Sequence, residues 1–321
     1  MHRLSARLLP GAVLLAAGLV ACGQPSEAVP LADEITATAP PPTLAPTPEP
    51  TPSHRPFDGQ RALAHVEAQM ALGPRPTGSP AHTQTGDYIL AQLAEAGWQT
   101  ESQPFTYQGV QARNLVGKEP DGNSSAPPII LGAHYDTRLR ADQDPTQPDA
   151  PVPGANDGAS GVAVLLELAF ALDLNKMESE IWLVFFDAED NGLLDGWDWI
   201  AGSRYYAENM TVEPAFVVIV DMIGDADQQI YYDHNSDADL SEQIWAVAHE
   251  LGYGDVFVPD YRFAMLDDHT PFRERGIPAV DVIDFDYPYW HTVEDTLDKV
   301  SAESLERVGR TVQVFLEEGQ W

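Results

Sequence analysis

The sequence of 321 residues has little of three things: cysteine, cationic side chains and long apolar runs. Its one cysteine, Cys22, excludes any disulfide within the chain, so stability has to come from a packed core. Lys and Arg total 17 against 50 Asp and Glu, a formal charge of −33. Binding a phosphate backbone takes clustered cations, so this balance excludes nucleic acid and an anionic membrane surface as partners. It favours amine-bearing or cationic ligands, and it keeps the chain soluble. The longest apolar stretch, at the N-terminus, is interrupted by Pro10 and falls short of the roughly 20 residues that a spanning helix needs.

That N-terminus, MHRLSARLLPGAVLLAAGLVAC, has a basic start, an apolar run of signal-peptide length and small residues at its end. Leu19-Val20-Ala21-Cys22 resembles the lipobox of bacterial lipoproteins. The resemblance implies a signal peptide over 1–21, lipidation of Cys22 and an extracytoplasmic chain tied to the bacterial membrane by its lipid anchor alone. Residues 22–56 are dominated by Pro, Thr, Ala and Glu, with too little apolar surface to offset the entropy of ordering. Their prolines make an extended tether. A single folded domain, expected to be monomeric, is left over 57–321.

Inside that domain, strands and helices alternate. Helical periodicity covers 58–73, with Asp58 as N-cap and Gly73 as terminator, and again a stretch through Leu93 to Gly97. WQTESQPFTY and ARNLVGK alternate as a strand pair. PPIILGAHYDT, IWLVFF, PAFVVIVDMIG and IPAVDVI read as buried strands, separated by helices opening near Gly158, around Ser203 and over 238–252. A closing amphipathic helix spans 301–318. Apolar strands alternating with helices predict an α/β three-layer sandwich with a mixed, mainly parallel sheet, the first strand pair forming an antiparallel edge.

The chemistry sits where these strands end. IWLVFF runs directly into Asp187, Glu189 and Asp190, and adjacent carboxylates resist ionising together unless a cation joins them. His134 follows IILGA, Asp221 follows FVVIV, and His291 follows IPAVDVI through the loop DFDYPYW. Asp157 lies in the turn that opens a helix, where backbone N–H groups favour a carboxylate. Open α/β sheets bind ligands beyond the carboxyl ends of their strands. Two imidazoles and several carboxylates gathered there suit zinc, either one ion or two sharing a bridging carboxylate. His54, His65, His82, His234 and His249 read as structural or exposed, Asp187 as structural, and Asp136 as a support for His134 or a turn cap.

His134-Tyr135-Asp136, the run GANDGASG over 154–161, Glu189-Asp190, Asp221 and His291 resemble the zinc aminopeptidase family M28, in order across 57–321. In that family the matching His134, Asp157, Asp190, Asp221 and His291 are metal ligands, Asp157 bridges two ions, and Glu189 is the general base. FFDAEDNG, Leu266-Asp267-Asp268-His269-Thr270-Pro271-Phe272 and Trp290-His291 are similar to the glutaminyl cyclase branch. That branch implies one zinc on Asp157, Asp190 and His291, with Glu189 as proton shuttle and peptides bearing N-terminal glutamine as substrates. It also implies a hydrogen-bonded pair of Asp221 and Asp267, and a substrate pocket walled by Trp290 with Trp197 or Trp199. His134 and Asp221 are then candidates for a second metal, needed if the chain is instead an aminopeptidase. Two positions depart from the vertebrate-type cyclase pattern: Asp190, where Glu is usual, and Asp281, where His is usual.

Overall fold

A computed structural model of the chain describes residues 55–119 and 124–319. The expected signal peptide, Cys22 and the tether up to residue 54 lie outside the described residues, as does His54. No helix among the described residues is long and apolar enough to cross a membrane.

The elements follow in order. Helices α1 (Gly59–Leu72) and α2 (Pro80–Glu95) precede the hairpin β1 (Gln99–Tyr107) and β2 (Val110–Lys118), then strand β3 (Ile129–His134). Next come α3 (Ala159–Ala171), β4 (Ile181–Phe186), α4 (Ala201–Asn209) and β5 (Phe216–Asp221). The chain then runs through β6 (Ile230–Asp233), α5 (Ala238–Glu250), β7 (Phe257–Phe263), the short α6 (Thr270–Glu274), β8 (Ala279–Ile283) and α7 (Ala302–Glu318). Asp58 caps α1 by accepting from the N–H groups of Gln60 and Arg61, and Gly73, at φ 89°, turns the chain out of it.

Six strands form one sheet in the order β1-β2-β4-β3-β5-β8. β1–β2 and β2–β4 are antiparallel, while β4, β3, β5 and β8 run parallel. The antiparallel edge is therefore where the sequence placed it. Strands buried on both faces send alternate side chains to opposite cores. Leu131, Ala133, Leu183, Phe185, Val218 and Val220 join the larger core with α1, α2, α3, α5 and α7. Ile130, Val184, Phe186, Val217 and Ile219 face the other way, against Tyr206 of α4 and Phe272 of α6. Those two cores make the three layers.

β6 and β7 pair in a separate two-stranded sheet, and α6 takes in only the TPF end of the DDHTPF segment; none of these three elements was expected. β6 is only four residues long and most of β7 is exposed, so neither carries the apolar signature of a core strand.

Candidate metal centre

The carboxyl ends of β3, β4, β5 and β8 meet on one side of the sheet, and the residues singled out above converge there. His134 is the last residue of β3 and Asp221 the last of β5. Glu189 and Asp190 follow β4, and His291 comes from the loop after β8. Asp157 sits just before α3, where Gly158, at φ 92°, makes the turn; a Cβ there would lie 2.8 Å from the carbonyl oxygen of Asp136 and 3.2 Å from the His134 ring. Several neighbours adopt left-handed backbone that residues other than glycine rarely take: Ala188 (φ 57°), Met222 (φ 46°) and His291 itself (φ 56°). These turns aim the side chains inward.

Two overlapping groups result. Asp157, Asp190 and His291 bring one potential ligand atom each to within 4.8 Å of one another, and so do His134, Asp157 and Asp221. Nε2 of His291 lies 2.9 Å from Oδ1 of Asp190 and 3.7 Å from Oδ2 of Asp157. Nε2 of His134 lies 3.1 Å from Oδ1 of both Asp157 and Asp221. Asp157 belongs to both groups.

The electrostatics are those of a site built for a cation. Burial pushes the Asp190 carboxyl up to about 6, helped by the charge of Asp157 and opposed by His291. Burial likewise raises Asp221 to about 7 against the pull of His134. Glu189 is driven well above the carboxylate range by burial and by the acids Asp190, Asp267 and Asp268, with His134 acting the other way. For His134, burial opposes the charged form, but Asp221, Asp136 and Asp157 outweigh it and raise the ring well above its ordinary value. Oδ2 of Asp157, Oδ2 of Asp190, Nδ1 of His134 and Nδ1 of His291 are buried without hydrogen-bond partners. Buried polar atoms are costly when left unpaired. A divalent cation resolves both the crowding and part of the orphaning, and two carboxylates with one imidazole form a donor set that zinc accepts.

A shell of contacts holds these groups. Asp136 accepts from the N–H groups of Glu189 and Asp190 and stands 3.7 Å from Nδ1 of His134. Asp295 accepts from the N–H groups of Asn156 and Asp157 and from the Tyr287 hydroxyl. Arg138, buried, donates to the carbonyls of Asp190 and Gly192, grips both oxygens of Asp142, and lies 4.8 Å over the Trp199 ring. Asp142 in turn stands 3.6 Å from Nδ1 of His291. The sequence reading missed Arg138, Asp142, Asp295 and Tyr287, which lie in loops with no helical or strand period to mark them.

A cavity of about 120 Å³ opens onto this centre, lined on its polar side by Asp157, Glu189, Asp190, Asp221, Asp267 and His291. Its apolar wall includes Trp199, Trp290, Phe285 and Met265. Trp290 stacks on the His291 ring at 3.7 Å, and Trp199 stacks on it at 5.8 Å. Trp197 is not among the lining residues: it packs edge-on against Tyr107, 5.3 Å away, and serves the lid loop. Gly192 lets the Trp199 indole lie flat on the loop, where any Cβ would fall 2.0 Å from the ring. Asp221 and Asp267 interact through charge, and burial followed by the charge of Asp267 pushes the Asp281 carboxyl well above its ordinary range. Asp281 occupies the position where histidine was noted as usual, so a second acid fills that place.

The four described histidines read from sequence as structural or exposed have partners. His65 contacts the Tyr88 hydroxyl, His82 pairs with Asp187, His234 stacks on Tyr261, and His249 meets the Phe257 carbonyl.

Residues 114–316 match the model of peptidase family M28. The chain is 28% identical over 287 residues to a glutaminyl-peptide cyclotransferase-like protein of Mus musculus, covering 76% of this chain and 72% of that protein. It is 29% identical over 241 residues to aminopeptidase YwaD of Bacillus subtilis, covering 70% of this chain and 47% of that one. Among solved structures, the glutaminyl cyclase of Tannerella forsythia superimposes with a TM-score of 0.76 at 32% identity, covering 82% of this chain and 99% of its own. A family match over more than half the sequence, on a sheet whose strand ends gather two carboxylate–imidazole groups, leads to one conclusion: the chain belongs to peptidase family M28.

Proposed function

We propose that the domain is a zinc-dependent glutaminyl-peptide cyclotransferase, closing the N-terminal glutamine of peptides or proteins to pyroglutamate with release of ammonia. The observation that carries this reading is the small aromatic-walled cavity holding Glu189 together with Asp157, Asp190, His291 and Asp267. Similarity to bacterial glutaminyl cyclases supports it. Asp157, Asp190 and His291 would hold a zinc ion, which would supply Lewis acidity at the side-chain amide carbonyl of the glutamine. Glu189 takes a proton from the α-amine as its nitrogen bonds to the side-chain amide carbon, Cδ, and returns it to the amide nitrogen as the Cδ–N bond breaks and ammonia leaves. Burial raises the Glu189 carboxyl above its ordinary range, the direction that a proton shuttle calls for. Asp221 and Asp267 offer negative charge to the amine end. Trp290, Trp199 and Phe285 clamp the side-chain methylenes and fix the folded conformer, so that the intramolecular attack gains its proximity advantage.

A second reading has its own observation. His134, Asp157 and Asp221 form a second potential ligand group, which favours a two-zinc aminopeptidase in which Glu189 activates water. The deciding experiment incubates the zinc-loaded full chain with Gln-Ala and Leu-Ala peptides and reads products by mass. Loss of one ammonia from the Gln peptide alone, with about one zinc per chain, supports the cyclase; free leucine with two zincs per chain replaces it with the aminopeptidase.

We also propose that the mature chain is a monomer reaching residue 57 by a proline-rich tether from a lipidated Cys22, outside the cytoplasmic membrane. Fatty-acid labelling lost in Cys22→Ala, with the protein released from membranes, is the expected result. Labelling that persists overturns it.

A further inference from the structure

Arg75 comes from the loop between α1 and α2, and its side chain is fully buried. All three nitrogens of its guanidinium donate to backbone carbonyls: Nη2 to Gly154 at 2.6 Å, Nη1 to Pro153 at 3.1 Å and Nε to Tyr135 at 3.4 Å. Its own N–H donates to the Thr137 hydroxyl, and its carbonyl accepts from the Thr137 N–H. Burial lowers the guanidinium to about 10, against the charges of Asp295, Asp157, Asp136 and Asp190, so it stays cationic at neutral pH. Taking that charge out of water is costly unless its donors find partners.

The partners it finds belong to two segments that carry candidate metal ligands. Tyr135 follows directly on His134, the end of β3, while Pro153 and Gly154 lead into Asp157. Asp157 stands in both ligand groups, so the placement of its turn governs both. Asp295 holds the amides of that turn, accepting from Asn156 and Asp157. Arg75 holds the carbonyls just ahead of them, and ties them to β3. The fit is close. A Cβ at Gly154 would fall 2.8 Å from Nη2 of Arg75 and 2.2 Å from Cγ2 of Thr137, so a larger residue would push the guanidinium out.

Resting on the reading of Asp157, Asp190 and His291 as the zinc site, we propose that Arg75 is a positioning residue: its guanidinium locks the 153–157 turn to the end of β3 and so fixes Asp157 for the ion. The role needs shape as well as charge. A lysine ammonium is a point charge without the planar fork that reaches three carbonyls at once.

The test measures the zinc affinity of the full chain by competition with a chromophoric chelator, beside circular dichroism and denaturant midpoints of the metal-free protein. Arg75→Ala and Arg75→Lys should each weaken zinc binding by about 10- to 100-fold, the usual loss when a support of a metal ligand is removed. Guanidinium ion in the low millimolar range, far below denaturing concentrations, should restore affinity to Arg75→Ala by filling the vacated space, and methylammonium should not. A folded Arg75→Ala with unchanged zinc Kd overturns the proposal even if its metal-free stability falls, because that result marks a core residue and nothing more. Should Arg75→Ala not fold, Arg75→Lys decides: wild-type affinity overturns the fork, and weakened affinity in a folded chain supports it. A wild type that takes up no zinc brings down the metal reading itself, whereas wild-type uptake with unchanged variants removes only the role of Arg75.

Discussion

Two buried His–Asp pairs lie side by side in this protein, with acids only three positions apart in sequence, and they are opposites. His82 Nε2 meets Oδ1 of Asp187 at 2.8 Å, while Oδ2 of Asp187 accepts from the Arg113 N–H at 2.7 Å and the Tyr135 hydroxyl at 3.0 Å. His82 also stacks on Tyr135 at 4.8 Å and accepts from the Gly78 N–H through Nδ1. Every polar atom of that pair is occupied by protein. His291 and Asp190 are as close, 2.9 Å, yet Oδ2 of Asp190 and Nδ1 of His291 have no hydrogen-bond partner. Proximity and burial are common to both pairs; saturation separates them. The saturated pair is part of the frame, and the unsaturated one keeps lone pairs for an ion.

That contrast can be broken from either side. Asp190→Ala should abolish zinc binding and turnover while the chain stays folded by circular dichroism. Glu189→Gln should leave zinc content intact and cut turnover by about 10²–10⁴, read by ammonia release. Chelation comes next. With free zinc a thousandfold above its Kd, the wild type should gain about 4 kcal/mol of stability, seen as a zinc-dependent rise in melting temperature that Asp190→Ala lacks. Asp187→Ala should do the reverse. It should lower stability by on the order of 3 kcal/mol, since its partners are left buried and unpaired, with zinc per folded chain unchanged.

The last test sharpens the rule rather than breaking it. Asp284 accepts from the N–H groups of Gln229 and Asp286, yet burial, reinforced by Asp225, raises it to about 7. Between the ordinary aspartate value and about 7, the folded chain holds a proton that the unfolded chain has shed. Stability from this group is therefore full at low pH and lost as pH rises through that window, by up to about 1.4 kcal/mol per pH unit. Denaturant titrations across pH 4 to 8 should show this slope flattened in Asp284→Asn. Hydrogen bonds from two amides, on this account, do not by themselves secure an ionised carboxylate.

Much of this was legible in the sequence because the main sheet is built from apolar strands that end abruptly in polar residues. His134, Asp157, Asp190, Asp221 and His291 could each be placed at a strand end or helix opening without knowing the fold. Asp157 and Asp295, by contrast, share a hydrogen bond across 138 positions, and no local pattern announces such a partner. Arg138 looked like one more charged residue in a polar loop; only the fold shows its guanidinium buried beneath Trp199. Trp197 and Trp199 could not be told apart either, because a loop has no period to say which indole faces inward.

The dependence of the site on Asp295 and His291 also bears on when in its lifetime the protein can acquire its ion. A chain made N-terminus first presents Asp157 and Asp190 early, but the third donor, and the carboxylate that ties down the Asn156–Asp157 turn, arrive only after β8. Until nearly the whole polypeptide has been synthesised the Asp157–Asp190–His291 set stays incomplete, because a metal site of this kind does not pre-exist in an unfolded chain. A prematurely terminated product lacking residue 291 cannot assemble the Asp157–Asp190–His291 set.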